Sequence, residues 1–270
     1  MSAVLDLEGA ARRASFMLPS IALVDLDEPA RAAAIATWRG RMVNEHASSR
    51  VFTALTAQLA RAGLATQARA AAVMMADELR HAELCAAVVE ALGGAARAEL
   101  PALPAVPEHD DADPLEAVLR NVLSVSCLSE TVAVALIDAE RRGAGPPALA
   151  DLLARILADE VGHARAGWRL LEDLAPRLRP ALRARLDDYL VLAFQHLVEH
   201  ELSHLPARPS PSAAAEAIGV CDGNGARQLF FATIEQVIVP GLQAHGLDAV
   251  NAWRASQRIG ACPSSPASAS

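Results

Sequence analysis

Two short stretches of the sequence combine carboxylate and imidazole side chains at a spacing that suits metal binding. They are Asp77-Glu78-x-x-His81 and Asp159-Glu160-x-x-His163. Positions i and i+3 of a helix share one face, so the glutamate and histidine of each stretch project together. Their oxygen and nitrogen donors suit Fe(II), Mn(II) and related ions without any thiolate. Each stretch is therefore predicted to supply half of a metal site.

Two further glutamates lie upstream of these stretches, one before each. Glu45 precedes the first stretch and Glu130 precedes the second, in both cases with a glycine-containing turn signal in between. A glutamate on one helix and Glu-x-x-His on its antiparallel partner, used twice, supplies the ligands of a two-metal carboxylate site in a four-helix bundle. The predicted metal ligands are Glu45, Glu78, His81, Glu130, Glu160 and His163.

A third Glu-x-x-His motif occurs at Glu201 and His204. Histidine, and not aspartate, precedes its glutamate, and the motif ends just before Leu205-Pro206, where a helix should stop. We therefore predict that this third motif takes no part in the metal site.

The aspartate that precedes each ligating glutamate has a predicted role of its own. A metal-bound imidazole usually donates its other N–H to a carboxylate, a backbone carbonyl or water, which fixes the tautomer. We predict a crossed arrangement in which Asp77 orients His163 and Asp159 orients His81. The competing interpretation is that both aspartates are exposed residues on helix surfaces.

The composition predicts an all-α protein, because alanine and leucine dominate and aromatic residues make up only 3% of the chain. The predicted architecture is a four-helix bundle with a long crossover between its second and third helices, followed by additional C-terminal helices. Four regions are expected: a lead-in at 1–28, the bundle with a fifth helix at 29–205, a C-terminal helical extension packed on the bundle at 206–258, and a disordered tail at 259–270.

Capping and turn residues set the expected helix limits. The predicted helices run from Asp27 to about Arg61, Thr66 to Leu92, Asp113 to Arg142, Pro146 or Pro147 to Leu174, Pro180 to His204, Gln228 to Val239 and Asp248 to Ser256. Pro240-Gly241 is expected to end the sixth of these helices. Within each of the first two hairpins, the glutamate and its partner motif lie about equally far from the turn. Antiparallel packing should therefore bring them to the same height.

Charge and cysteine usage exclude several classes of function. The net charge of -8 argues against nucleic-acid binding, which needs a basic surface. None of the four cysteines forms a CxxC pair, so a rubredoxin or zinc-ribbon module is absent and a disulfide framework is not expected. No signal peptide and no uncharged stretch of membrane-spanning length is recognisable. We expect a cytoplasmic protein with neither a membrane nor a nucleic acid as partner.

The ligand motifs resemble those of the ferritin-like di-iron carboxylate superfamily, and the resemblance covers about residues 29–175. It implies a centre of two iron ions, with two manganese ions or a mixed manganese–iron pair as alternatives. Carried over to this chain, the resemblance favours Glu130 and Glu78 as the carboxylates that bridge the two ions. Glu45, Glu160 and the two histidines would then each bind one ion.

The sequence departs from several branches of this superfamily, and these departures narrow the choice of branch that it resembles. The p-aminobenzoate N-oxygenase type is similar in spacing but adds a histidine four residues before the last glutamate, where this chain has Ile156. Rubrerythrins carry a rubredoxin module, which is missing here. The radical-generating subunit of ribonucleotide reductase needs a tyrosine near the metals, whereas the only tyrosine, Tyr189, lies on the predicted fifth helix. A tRNA hydroxylase of the superfamily does not fit the acidic charge.

The resemblance implies an O2-activating di-iron oxidase or oxygenase that hydroxylates or desaturates a small molecule. The alternatives are an iron-handling protein with ferroxidase or storage activity, and a peroxide scavenger similar to di-manganese catalases. The expected partners are O2, a small-molecule substrate, an external electron donor such as a ferredoxin, and a second copy of the chain in a homodimer. Residues near the ligands that would line a substrate pocket are Arg41, Ser49, Phe52, Ser126, Cys127, Val134 and Ile156.

Overall fold

The computed structural model describes residues 3–18, 26–102, 105–205, 207 and 210–260. Its elements are β1 (Val4–Asp6), α1 (Ala10–Arg13), α2 (Glu28–Arg61), α3 (Ala65–Ala91), β2 (Arg97–Glu99), α4 (Pro114–Gly143), α5 (Pro147–Leu174), a 3-10 turn (Ala175–Arg177), α6 (Pro180–His204), α7 (Ala213–Ala217), α8 (Gly223–Thr233), α9 (Val239–Ala244) and α10 (Ala249–Gly260). The predicted all-α fold is confirmed, because strands contribute only one short two-stranded ladder within the described ranges.

The first helical hairpin follows the predicted signals closely. The side chain of Asp27 caps α2 by accepting a hydrogen bond from the backbone N–H of Ala30 at 2.8 Å, with Pro29 in the first turn. Gly63 takes a positive φ of 76° in the turn, a conformation that glycine adopts without a steric penalty. Because the connection between the two helices is so short, α3 returns antiparallel to α2 and packs along it.

The connection from α3 to α4 runs the length of the bundle, as predicted. It begins beside the start of α2, where Gly94 lies so close that a Cβ atom would sit 2.7 Å from the Ile35 side chain. It ends near the other end of α2, where the Gln58 side chain donates to the carbonyl of Pro107 at 3.0 Å. Within the connection, β2 pairs antiparallel with β1, an element that was not predicted.

The second hairpin consists of α4 and α5 and packs against the first through contacts of α4 with α2 and of α5 with α3. Asp113 caps α4 by accepting from the backbone N–H groups of Leu115 and Glu116, each at 3.0 Å. By length and composition alone, α4 is also the one helix in the described ranges that could cross a membrane. Its apolar side chains contribute to the core of the bundle, where Leu119, Leu123 and Leu128 are buried.

α4 is not a regular helix throughout. It is α-helical over Pro114–Val122, a π-helix over Leu123–Ser129 and α-helical again over Glu130–Gly143. The turn signals in the sequence predict an uninterrupted α-helix over this span, so the π segment departs from the prediction. Gly167 of α5 packs directly on the π segment, since a Cβ atom there would lie 2.4 Å from the Cβ of Ser126. The close approach of α5 therefore requires glycine at this position.

The fifth long helix, α6, packs on the outer side of α4, as predicted. Its inward face buries Leu186, Leu190, Ala193, Phe194 and Leu197. Two polar contacts fix α6 on α4. Arg185 pairs with the fully buried Glu116 at 2.6 Å, and Tyr189 shares a hydrogen bond of 2.8 Å with Ser124.

The C-terminal extension differs from the prediction in one place. The prediction that a helix ends at Pro240-Gly241 is wrong. The helix continues from α8 through a π segment at Ile234–Ile238 into α9. Pro240 directly follows the π segment, and because proline has no N–H it cannot donate a hydrogen bond to the preceding turn of this continuous helix. The short helix α7 was not predicted, and the expected disordered tail beyond Gly260 lies outside the described residues.

Candidate metal centre

The four bundle helices bring the six predicted ligand side chains to one place. α2 supplies one glutamate and α4 another, while α3 and α5 each supply a glutamate and a histidine. The residues are Glu45, Glu78, His81, Glu130, Glu160 and His163. All except the half-buried Glu45 are buried in the bundle. The structure thus contains a buried cluster of carboxylates and imidazoles that could hold a metal ion.

The cluster divides into two overlapping groups, and within each group one ligand atom per residue lies within 4.8 Å of all the others. The groups are Glu45, Glu78, His81 and Glu160, and Glu78, Glu130, Glu160 and His163. Each group therefore offers three carboxylates and one imidazole. Because Glu78 and Glu160 belong to both groups, the arrangement fits two neighbouring ions with two shared carboxylates.

The carboxylate of Glu160 lies between the two histidines. Its Oε1 is 3.1 Å from Nδ1 of His81, and its Oε2 is 3.3 Å from Nδ1 of His163. Glu78 Oε1 lies 3.0 Å from Nδ1 of His163. By contrast, Glu130 approaches only His163, at 3.9 Å. The geometry therefore favours Glu160 over Glu130 as the second shared carboxylate, which differs from the bridging pair that the resemblance implied.

Three buried atoms of the cluster have no hydrogen-bond partner among the described residues. They are Oε1 of Glu78, Nδ1 of His81 and Nδ1 of His163. The carboxylates close to these atoms are near enough for attraction but are poorly aligned for hydrogen bonding. Buried polar atoms without partners are costly and rare in folded proteins. Atoms of this kind that converge on one point fit the donor set of a metal ion.

Protons partly balance the charge of the metal-free cluster. Burial raises the pKa of Glu78 to about 8, and burial together with Glu160 raises the pKa of Glu130. Burial would lower the pKa of both histidines, but the adjacent carboxylates outweigh it and raise these values to about 11 for His81 and about 10 for His163. Burial likewise opposes ionisation of Glu160, yet its contacts with Glu130 and the imidazoles hold its pKa well below the usual range.

The far nitrogen of each histidine contacts an aspartate from the opposite hairpin. Nε2 of His81 lies 3.0 Å from Oδ2 of Asp159, and Nε2 of His163 lies 3.4 Å from Oδ2 of Asp77. This is the crossed pattern expected from the sequence. It leaves Nδ1 of each ring facing the cluster, so the aspartates select the nitrogen that faces a metal.

Arg80 connects the two aspartates, a role that the sequence analysis missed. Its guanidinium lies 2.9 Å from Asp77 and 2.7 Å from Asp159, and its side chain is half exposed. The contact crosses from α3 to α5 on the outer side of both histidines. The only signal in the sequence was its position between Glu78 and His81. Arg80 therefore holds together the two carboxylates that orient the rings.

The residues predicted to line a pocket have different environments. The Phe52 ring is buried with its centroid 5.3 Å from that of His163, and the Ser126 side chain borders a small cavity. Arg41 instead pairs with Glu140 and lies over the ring of Trp38.

The remaining four predicted lining residues do not border that cavity. The Ser49 hydroxyl bonds to the carbonyl of His46 at 2.7 Å. Ile156 is core, and Val134 is partly buried. Cys127 is buried in the apolar core, and its Sγ would lie 3.3 Å from a Cβ atom at Gly167 of α5.

A small cavity with mostly apolar walls lies one turn from the cluster, and none of the six ligand residues borders it. Its walls include Met74, one turn before Glu78, and Ser126, one turn before Glu130. Its volume is about 40 Å³, compared with roughly 300 Å³ or more for typical small-molecule sites. A larger pocket of about 230 Å³ lies near Gln58, some 20 Å along α2 from Glu45 at the normal helical rise. Neither of these two pockets is bordered by any of the six ligand residues.

Comparisons of the chain with protein-family models, curated proteins and solved structures return no match. The interpretation of the site accordingly depends on its own geometry. The third Glu-x-x-His motif, Glu201 and His204, lies at the end of α6 and contributes to neither ligand group.

The sharing of ligands between the two groups predicts different effects for different glutamates. Purified protein should contain about two metal ions per chain. Glu160→Ala removes a ligand from both groups and should abolish binding of both ions, whereas Glu130→Ala should remove about one. Metal content per chain, measured by mass spectrometry on folded protein, tests this. Glu201→Ala should retain both ions; loss of both ions in Glu130→Ala but not in Glu160→Ala would reverse the assignment.

Because Arg80 contacts both Asp77 and Asp159, we expect that loss of its side chain leaves both carboxylates less firmly held. We expect Arg80→Ala to weaken metal binding about tenfold, the lower end of the range for groups behind metal ligands. Competition with a chromophoric chelator gives the affinity. Arg80→Lys should recover part of it, and Ala at the exposed Arg165 of α5 serves as the matched control. Equal affinities for Arg80→Ala and Arg165→Ala would contradict the proposed role.

The raised pKa values predict that metal binding releases protons. The raised pKa values favour the protonated forms of Glu78, Glu130 and both histidines in the metal-free protein at neutral pH, so metal must displace protons. Affinity should therefore rise as pH is raised towards 8. Calorimetric titration of metal into metal-free protein, in buffers of different ionisation enthalpy, measures the protons released. A binding enthalpy that is the same in all buffers would show that no proton leaves.

Proposed function

We propose that the chain is a ferritin-like di-iron carboxylate protein that uses O2 to oxidise a small molecule. The observation that carries this proposal is the pair of overlapping ligand groups, each with three carboxylates and one imidazole. Ligation by one glutamate from each of two helices and Glu-x-x-His from each of two others is the arrangement of di-iron and di-manganese bundles. The long connection between α3 and α4 further supports this relationship.

Iron is the metal we propose, with two manganese ions or a mixed pair as alternatives. Oxygen-rich donor sets with a single imidazole per ion suit these metals better than copper or zinc. Four carboxylates also balance the charge of two divalent cations, which a buried site requires. Two bound Fe(II) ions would supply electrons for the reduction of O2. Within the protein, Glu78 and Glu160 would hold both ions, and His81 and His163 one each.

The C-terminal extension supports an enzyme over a minimal iron-binding bundle. Its π segment, Ile234–Ile238, contacts the π segment of α4 that directly precedes Glu130. Gly241 lies against the ring of Trp168, whose N–H donates to the hydroxyl of Thr131 at 3.0 Å. π turns within helices occur often at functional sites. The extension thus packs on the part of α4 that positions a ligand, where a substrate-binding region would be expected.

The reaction we propose is hydroxylation or desaturation. Hydroxylation of a C–H bond by O2 places one oxygen atom in the product and one in water, which needs two further electrons and two protons. An external donor such as a ferredoxin would supply the electrons. None of the six ligands borders the small cavity, so the organic substrate would need helices at the cluster to separate. The half-buried Glu45 is the most exposed of the six ligands and marks the side of easiest access.

The position of the two described pockets, neither of which is bordered by a ligand residue, favours a second candidate function. A cluster without a substrate-sized pocket beside it suits iron oxidation and storage, or peroxide disproportionation by a di-manganese centre. Neither activity needs space for an organic molecule. These activities predict that O2 or peroxide consumption is independent of any organic compound.

The reaction with O2 distinguishes these candidates. Protein loaded with Fe(II) without oxygen and then mixed with O2 should change absorbance rapidly, and an organic substrate from a metabolite panel should accelerate the change. Stopped-flow spectroscopy and product analysis by mass spectrometry give the rate and the chemistry. Glu160→Ala should show neither reaction.

Rapid oxidation that no organic compound affects, with ferric iron accumulating beyond two ions per chain, would favour iron storage. Absence of any reaction with O2 in fully iron-loaded protein would contradict both proposals. Peroxide consumption by the manganese-loaded protein alone would favour the catalase-like alternative.

A further inference from the structure

A second group of potential metal ligands lies on α6, away from the bundle cluster. His196, His200 and His204 are three of the eight histidines of the chain, and all three are exposed. They follow one another at intervals of four residues, so they occupy successive turns on one face of the helix. The group contains the histidine of the third Glu-x-x-His motif, which the bundle cluster does not use.

The rings of His200 and His204 are the closer pair. Their centroids are 4.7 Å apart and the ring planes meet at 71°. His196 is farther from His200, with centroids 6.2 Å apart and nearly parallel rings. In the described part of the chain, no hydrogen bond or ion pair occupies the nitrogens of these three rings. The imidazoles of His200 and His204 are therefore free to bind one ion with small rotations of exposed side chains.

The surroundings favour a cation. The exposed Glu199 directly precedes His200 and adds negative charge to this part of the helix, whereas burial raises the pKa of Glu201 to about 7. The site also lies in the last turns of α6, which ends at His204, and the negative end of a helix dipole stabilises a nearby positive charge. A metal ion here would experience both effects without the desolvation that a buried site imposes.

We propose that His200 and His204 chelate a divalent transition metal ion of the zinc and copper class, with water completing its coordination. Two imidazoles favour these ions over iron and manganese in the Irving–Williams order, whereas the bundle cluster is rich in carboxylates. The site is distinct from the bundle cluster and does not depend on the function proposed for it.

Metal binding at this site would stabilise the attachment of the C-terminal extension. The chelated ion would join two successive turns at the end of α6. Arg227 of α8 donates to backbone carbonyls of the same helix end, Leu205 at close range and Leu202 at 3.3 Å. Ordering of these turns would thus strengthen the contact between α6 and α8, and binding to the folded state alone raises its stability.

Calorimetric titration of Zn²⁺ into the iron-loaded full chain tests the proposal. We expect one zinc ion per chain with a micromolar Kd, with iron content unchanged by mass spectrometry. His200→Ala and His204→Ala should each weaken zinc binding by about tenfold or more, a change of about 1.4 kcal/mol per factor of ten. His245→Ala, which alters a histidine beside Trp168 outside this group, should bind zinc like the wild type.

A spectroscopic measurement identifies the ligands directly. Cu²⁺ added in one equivalent to the iron-loaded chain should show hyperfine coupling to two nitrogens, reduced to one in either variant. A zinc Kd above about 1 mM, or equal affinities for wild type, His200→Ala and His204→Ala, would overturn the proposal. Loss of binding in His196→Ala but not in His204→Ala would also show that the assigned pair is wrong. Circular dichroism confirms that each variant keeps its helices.

Discussion

Burial of four carboxylates and two imidazoles at one point inside an apolar bundle is the constraint on which the rest of the structure depends. An isolated charge in such a place costs several kcal/mol, and removal of one partner from a buried charge pair typically costs about 3–5 kcal/mol. The cluster avoids this cost only if its charges are balanced. Shared protons balance them in part without metal, and two divalent cations would do so in full. The fold is therefore coupled to what the cluster binds.

The bundle meets this constraint by supplying ligands symmetrically from two hairpins. In each hairpin, short turns make the helices antiparallel and bring the glutamate of one level with the Glu-x-x-His of the other. The second hairpin departs from this symmetry through the π segment of α4, which rotates Glu130 relative to the preceding turns. The close approach of Gly167 allows α5 to follow that irregularity. The ligands of the first hairpin thus lie on the regular helices α2 and α3, whereas Glu130 of the second hairpin lies on α4 directly after its π segment.

The surroundings of the cluster limit what it can do. Asp77, Asp159 and Arg80 form a polar layer between the histidines and solvent, so the rings cannot turn freely. Neither of the two described pockets is bordered by any of the six ligands. Access of a molecule to the cluster would therefore depend on movement of the helices that surround it.

The sequence alone determined the five long helices, the six converging side chains and the crossed aspartates, because these follow from local signals. Capping residues, glycines and i, i+3 spacing act within a few turns and can be read directly. The tertiary structure decided the features that depend on contacts between distant segments of the chain. Among these are the π segments, the sharing of Glu160 and not Glu130, and the link through Arg80. The helix that continues through Pro240 and the size of the cavity also belong to this group. Each depends on how closely two helices approach, and no local pattern in the chain encodes that distance.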